Sequence, residues 1–237
     1  MKKIIFTGGN GRFGKIFKKV KSKNNIFFPS KKELNINSVK SIENYIKKTK
    51  AKYLIHAAGL SRPMNEHDKN IIKSITLNII GTSNIVIACK NLSVKLIYFS
   101  TNYVYPGKLG NYKEDDPVNP INNYALSKLG GETSVRMYKN SLVLRICMTE
   151  KPFIHKKAFR DVEMNFLYHD EVANILLKLI DYKGVINVGG IKQSIFNFAK
   201  KNNDKLIPIS AKKIFGKKYP TKQSMNINKL KKILNKI

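Results

Sequence analysis

The arrangement Gly8-x-x-Gly11-x-x-Gly14 constrains this chain more than any other feature. It follows the apolar run Lys2–Thr7, which reads as a buried strand, and it opens a helix expected from about Gly11 to Lys21. Glycine has no Cβ, so the loop can turn tightly and bring its backbone close to a pyrophosphate. The helix N-terminus adds free N–H groups and a partial positive charge. The spacing predicts a strand-loop-helix unit that binds a dinucleotide, with Gly8, Asn10, Gly11, Arg12, Phe13 and Gly14 at the cofactor. A mononucleotide loop has nearly the same pattern, and Gly14-Lys15 matches it. Ile16, however, stands where that motif needs a magnesium-binding Ser or Thr.

Strand and helix alternate after this loop. Asn25–Phe28 reads as a second strand and Tyr53–His56 as a third, with Ala57, Ala58 and Gly59 leaving its C-terminal end beside the expected cofactor. Ser38–Lys48 has helical spacing, with Val39, Ile42, Tyr45 and Ile46 on one face. A long helix over about Asn70–Asn91 precedes the apolar strand Lys95–Ser100. A proline-containing loop leads to a helix at Tyr124, and Ser141–Arg145 is a fifth strand. Further on, Glu171–Asp181 reads as a helix, Gly184–Val188 as a strand and Asn228–Lys236 as a basic amphipathic helix. Such alternation implies right-handed crossovers and a doubly wound, Rossmann-type parallel sheet, an α/β fold. We expect residues 1–237 to form one NAD(P)-binding domain, with a small, reduced C-terminal substrate lobe made mainly from 146–170 and 190–237.

The formal net charge of +30 invites a nucleic-acid reading. Yet nearly all the basic residues are lysines scattered through every segment, beside abundant Asn and Ile, as an A/T-rich coding sequence produces. No specific nucleic-acid binding is expected, though the field would attract an anionic cofactor or nucleotide substrate. No run approaches the apolar length of a membrane span, so no membrane association is expected. Cys89 and Cys147 sit in apolar segments without metal-ligand spacing, and His56, His67, His155 and His169 form no ligand cluster. No metal site is expected, and the cysteines suit a reduced, cytoplasmic interior.

An acidic residue at the end of the second strand usually holds the ribose 2′-hydroxyl of NAD. Here that strand ends in Pro29-Ser30-Lys31-Lys32, and Glu33 is expected to begin the next turn instead. Arg12, Ser30 and Lys31 can meet a 2′-phosphate, which favours NADP(H) over NAD(H). Downstream, Tyr124 and Lys128 are four apart and share a helix face. A free tyrosine titrates near 10. A cation about 4 Å away contributes about 4 kcal/mol at an effective dielectric of ~20, enough to make the phenol a proton donor near neutrality. Alone the Tyr-x-x-x-Lys pattern is weak; behind the glycine loop and Ser100-Thr101 it is strong.

With these pieces in place the chain resembles the extended short-chain dehydrogenase/reductase family, in its dTDP-4-dehydrorhamnose reductase-like branch. The resemblance rests on the Gly8–Gly14 loop, Glu33-Leu34-Asn35-Ile36, His56-Ala-Ala-Gly59 and Asn78-x-x-Gly81-Thr82. It continues through Ser100-Thr101-Asn-Tyr103-Val-Tyr105-Pro-Gly107 and Tyr124-Ala-Leu-Ser-Lys128 to Phe166-Leu-Tyr-His169-Asp170. It implies Thr101, Tyr124 and Lys128 as the catalytic set: Tyr124 protonates a developing alkoxide, Lys128 lowers its pKa and holds the nicotinamide ribose, and Thr101 hydrogen-bonds the oxyanion. Asn78 would brace the site, His56 pack at a strand end, and His169-Asp170 cap a helix. The chain departs from the branch in three ways. Asn102 replaces an expected Asp, Trp is absent, and only the residues between Arg145 and Phe166 remain where a larger lobe segment is usual.

The resemblance implies an NAD(P)H-dependent reductase of a 4-keto-6-deoxy nucleotide sugar. An epimerase or epimerase/reductase on a nucleotide sugar would use the same Tyr and Lys. A non-catalytic NADP-binding regulatory module, as in the regulatory subunit of methionine adenosyltransferase, is the reading that the shortened lobe favours. A homodimer is a candidate assembly.

Overall fold

The computed structural model describes residues 1–235. Its central sheet has six strands: β1 (Lys3–Thr7), β2 (Asn25–Phe27), β3 (Tyr53–His56), β4 (Lys95–Thr101), β5 (Ser141–Ile146) and, late in the chain, Gly184–Val188 beyond β5. β1 lies between β2 and β3, and β4 lies between β3 and β5. Ile4, Ile5 and Phe6 have no exposed surface, as a parallel strand covered on both faces requires. β1 pairs parallel to both neighbours, and Thr7 lies opposite His56, which in turn lies opposite Tyr98. One row across three strands, at the ends of β1 and β3 and the middle of β4, therefore carries side chains that shape the site. The expected doubly wound parallel sheet is present.

The helices follow from their apolar faces and caps. α1 (Arg12–Phe17) is fixed by a ring cluster in which Phe6 meets Phe13, Phe17, Phe28 and Phe99 at centroid distances of 4.9–6.3 Å. It is shorter than the expected Gly11–Lys21. Past Phe17 the chain tightens, with Lys19 and Val20 donating to Ile16 and Phe17, and the regular ladder ends in these i→i+3 bonds. α2 (Val39–Thr49) starts where the Ser38 side chain accepts from the Ser41 N–H, and it buries Ile42 and Ile46.

A short turn, α3 (Glu66–Lys69), leads into α4 (Ile71–Asn91). Six residues of α4, Ile75–Ile80, form a π-helical segment. By length and composition α4 is apolar enough to cross a membrane, contrary to the sequence expectation that no segment reaches that length. The search for an unbroken apolar run missed it because Asn70, Lys73, Asn78 and Asn84 punctuate the isoleucines. In this fold α4 buries Asn78, Gly81, Thr82, Ile85, Ala88 and Cys89. α5 (Asn123–Arg136) opens where the Asn122 side chain accepts from the Ala125 N–H at 2.8 Å.

The chain divides into two units. The first holds Met1–Ser100, Asn122–Leu144 and Ile180–Val185, and the second holds Thr101–Ile121, Arg145–Leu179 and Ile186 onward. The second unit has its own apolar cluster of Phe153, Ala158, Tyr168, Phe198, Ala199 and Leu206. It also buries a polar network: Arg145 donates to the Tyr105 hydroxyl at 2.7 Å, and that hydroxyl bonds Asn187 Oδ1 at 2.9 Å. A helix spans His169–Leu179, two residues earlier than expected. The terminal helix covers Asn228–Leu234; Lys236, to which it was expected to run, lies outside the described residues.

Candidate functional site

The glycine loop is built by steric necessity. Gly8 has φ +86°, and a Cβ there would lie 2.9 Å from the Ala58 nitrogen and 3.0 Å from the Ala57 oxygen. At Gly14 a Cβ would sit 2.4 Å from the Gly8 carbonyl oxygen. The turn closes through the Gly11 N–H to the Gly8 oxygen at 2.9 Å. Beneath it lies a cavity of about 300 Å³. Of the expected cofactor residues, Gly8, Asn10, Gly11, Lys31, Ala58 and Gly59 line it.

Arg12, Phe13, Gly14, Ser30, Ala57, Tyr124 and Lys128, also expected at the cofactor, are not among the cavity's lining residues. The Phe13 ring lies in the aromatic cluster, stacked on Phe17. Arg12 is exposed and donates to the Ser61 hydroxyl at 3.2 Å. Ser30 and Glu33 bond reciprocally: the Ser30 N–H donates to Glu33 Oε2 at 2.8 Å, and the Ser30 hydroxyl accepts the Glu33 N–H at 3.4 Å. Glu33 closes the turn that starts at Ser30, its N–H donating to the Ser30 carbonyl at 3.2 Å, rather than beginning the next one as expected, and the Ser30 bonds hold its carboxyl below the usual carboxylate range. The cavity wall that sequence reasoning left without a role is Leu34–Asn37, joined by Leu77 of α4. The signal was present in Leu34-Asn35-Ile36, quoted above only as part of a pattern. Backbone donors, Lys31 and three asparagines line the cavity together with apolar Leu34, Ile36 and Leu77, a lining that fits an anionic dinucleotide with a flat heterocycle.

α5 carries Tyr124 and, one turn later, Lys128. Lys128 is only 8% exposed and its ammonium lies 4.2 Å from the centroid of the Tyr98 ring. Burial lowers its pKa to about 7, against the opposing pull of Glu132 a turn further on. Glu132 is fully buried and accepts the Ser100 hydroxyl at 2.6 Å. His56 is also fully buried, bonded through Nδ1 to the Thr7 hydroxyl at 2.8 Å and through Nε2 to Thr82 at 3.2 Å. Burial first, and the Lys128 charge second, push its pKa to about 3, so the imidazole is neutral at pH 7.

Asn78, in the π-helical segment, ties these parts together. Its Oδ1 accepts the Leu60 N–H at 2.7 Å, and its Nδ2 donates to the Leu60 carbonyl and the Ser127 hydroxyl, both at 2.8 Å. One amide thus spans the chain beyond Gly59 and the residue before Lys128. A side chain at Gly59 would collide with it, since a Cβ there meets Asn78 Oδ1 at 2.6 Å. π-Helical insertions occur often at functional sites, and this one widens α4 where Asn78 must reach two elements.

Thr101 ends β4 and belongs to the second unit. It is buried, and its side chain accepts the Tyr103 N–H at 3.3 Å to start a short 3₁₀ turn, Asn102–Val104. The Asn102 amide nitrogen is buried without a hydrogen-bond partner among the described residues.

The family described as RmlD substrate binding domain matches residues 1–149. The chain belongs to this family. Among curated relatives of this RmlD-family chain is the spore coat polysaccharide biosynthesis protein SpsK of Bacillus subtilis (strain 168), 26% identical over 149 residues, which are 61% of this chain and 52% of that protein. The methionine adenosyltransferase 2 subunit beta of Xenopus tropicalis is 31% identical over 115 residues, 48% of this chain and 34% of that one. The chain thus spans about half or less of the length of these relatives. A solved dTDP-4-dehydrorhamnose reductase from Bacillus anthracis, in complex with NADP, superposes with a TM-score of 0.85 at 23% identity, covering 99% of this chain and 93% of that one. That likeness establishes the shared Rossmann-type fold.

Proposed function

We propose that this RmlD-family chain is an NAD(P)H-dependent reductase of a 4-keto-6-deoxy nucleotide sugar, with NADP(H) preferred. One observation carries the reading: a buried lysine stands one turn from a tyrosine on α5, and Asn78 joins that helix to the chain leaving the glycine-lined cavity. The family, the NADP complex of the Bacillus anthracis reductase and the lining of the cavity support it.

A bound reduced nicotinamide would supply hydride to a keto carbon. The chain's own residues do the rest. The loop at Gly8, Gly11 and Gly14 takes the pyrophosphate on backbone N–H groups. Lys31 meets the 2′-phosphate. Tyr124 delivers the proton to the developing alkoxide, Lys128 as ammonium favours the tyrosinate left behind, and Thr101 donates a hydrogen bond to the same oxygen. Neutral His56 adds no second positive charge beside Lys128. The segments 146–170 and, as far as residue 235, the one from 190 form the substrate lobe, where exposed Lys151, Lys156, Lys157 and Arg160 meet a diphosphate. We place the enzyme in the cytoplasm, where buried Cys89 and Cys147 stay free thiols.

A homodimer is the assembly we propose. On α4, Ile72, Ile75, Ile80 and Ile87 are exposed, and Lys73 and Lys90 are its only lysines, which gives like-charged copies an apolar face on which to meet. The match to the methionine adenosyltransferase subunit favours one rival, a dinucleotide-binding module that assists a partner protein. NADPH oxidation across a panel of 4-keto-6-deoxy nucleotide sugars separates the two. Turnover with one of them supports the reductase; tight NADPH binding with no turnover of any sugar selects the module.

A further inference from the structure

His67 has no place in the site as described above, yet it touches it. Its ring lies edge-on to the Tyr124 ring, centroids 5.2 Å apart at 62°. The residue is 1% exposed, and Nδ1 is fixed 2.7 Å from the Ser74 hydroxyl. Nε2 is buried with no hydrogen-bond partner among the described residues. A buried polar atom left unpaired is uncommon in a native fold and calls for a reason.

The surrounding turn is clamped on two sides. Asp68 Oδ1 accepts the Asn123 side-chain amide at 2.7 Å, one residue before Tyr124, while Glu66 pairs with Lys73 on α4 at 3.0 Å. These bonds tie α3 to the first turn of α5 and to α4, and the imidazole lies against the phenol ring. The charged groups facing it are Asp68 and Glu66 on its own turn, Lys73 on α4, and Lys128 with Tyr124 on α5. Burial lowers the His67 pKa below the ordinary histidine value; Asp68 and Glu66 pull against it, and the Lys128 charge adds a smaller downward push.

We propose that His67 is a positioning residue for Tyr124. Its neutral ring sets the plane of the phenol by an edge-to-face contact. It also excludes water from that flank, so that the field of Lys128 reaches the phenol unscreened. The unpaired nitrogen is the cost of placing a polar ring at that position.

The proposal rests on the reductase reading for its kinetics but not for its spectroscopy. The ionisation of Tyr124 is read without substrate, as the ultraviolet tyrosinate titration of each protein minus that of its Tyr124→Phe partner. His67→Phe keeps a ring of similar size, whereas His67→Gln keeps a polar side chain and loses the ring. We expect His67→Phe to hold the Tyr124 midpoint near that of the unaltered protein, and His67→Gln to raise it by half a pH unit or more. With a substrate in hand, His67→Gln should lower kcat about tenfold or more while the KM for NADPH stays within about twofold, and His67→Phe should stay within about threefold in both. Equal Tyr124 midpoints in all three proteins, or a Gln variant that outperforms the Phe variant, would overturn the proposal. Absence of turnover in the unaltered protein, with the midpoint shift intact, would count against the reductase reading alone.

Discussion

Tyr98 and Lys128 meet twice: the Tyr98 hydroxyl donates to the Lys128 carbonyl at 3.0 Å, and the Lys128 ammonium stands 4.2 Å from the centroid of the same ring. A single buried side chain on β4 thus fixes both the backbone and the charge of the lysine. The two contacts can be separated. Tyr98→Phe removes the hydrogen bond to the Lys128 carbonyl, worth about 1 kcal/mol of stability, together with the hydroxyl's bond to Thr82, and keeps the ring face. Turnover should stay within about threefold. Tyr98→Leu removes the face, and turnover should fall about tenfold or more. Denaturant unfolding alongside steady-state kinetics checks both.

Lys128 supports the chemistry only while protonated, and burial has brought its pKa down to about 7. The ammonium is lost as pH rises through that value. kcat/KM, which reports the free enzyme, should therefore fall on the alkaline side with an apparent pKa near 7. Lys128→Met should remove this limb together with most of the rate. A profile flat to pH 9 would show that Lys128 stays charged.

His56 makes stability depend on pH in acid. Its folded pKa is depressed to about 3, below the unfolded value of about 6.5. Below about pH 6.5 the unfolded chain binds a proton that the native state refuses, so the contribution is complete above that pH and declines as pH falls toward 3. Between about pH 7.5 and about pH 5 this one group should remove about 2 kcal/mol. Urea unfolding at both pH values should show that much less pH dependence in His56→Gln than in the unaltered protein.

The parallel sheet and the glycine loop were legible because both follow from local rules: apolar runs of strand length, and glycines where a Cβ has no room. Glu33 was readable as a turn residue, but its place at the end of that turn depends on the reciprocal bonds with Ser30 that only the fold shows. The π-helical segment of α4 was not readable. It adds one residue to a turn without changing the apolar spacing, and only Asn78 reaching both Leu60 and Ser127 gives it a purpose. His67 was hidden because its partners, Ser74 and Tyr124, come together only in the fold. Phe13 and Arg12 were grouped with the loop by position, but side-chain direction sends one into the aromatic cluster and the other toward Ser61.

Cofactor choice rests on Lys31, which lines the cavity, because the Ser30 hydroxyl is already engaged by Glu33. NADPH should bind at least several-fold more tightly than NADH, since a charge-assisted phosphate contact is worth roughly 1.5–3 kcal/mol. Lys31→Glu should erase or reverse that order in calorimetric titrations.

Gly14 tests the loop itself. Gly14→Ala drives a methyl group to within 2.4 Å of the Gly8 oxygen, and the backbone must shift to admit it. The strain should cost about 1–3 kcal/mol of stability and weaken NADPH binding along with it.

The central claim is that Tyr124 is the proton donor, and the Tyr124→Phe variant tests it most directly. NADPH affinity and turnover of the best 4-keto-6-deoxy nucleotide sugar should be measured on one preparation. The account predicts unchanged NADPH affinity and turnover lower by ~10²-fold or more, the usual worth of a general acid. Turnover equal to that of the unaltered protein would contradict it.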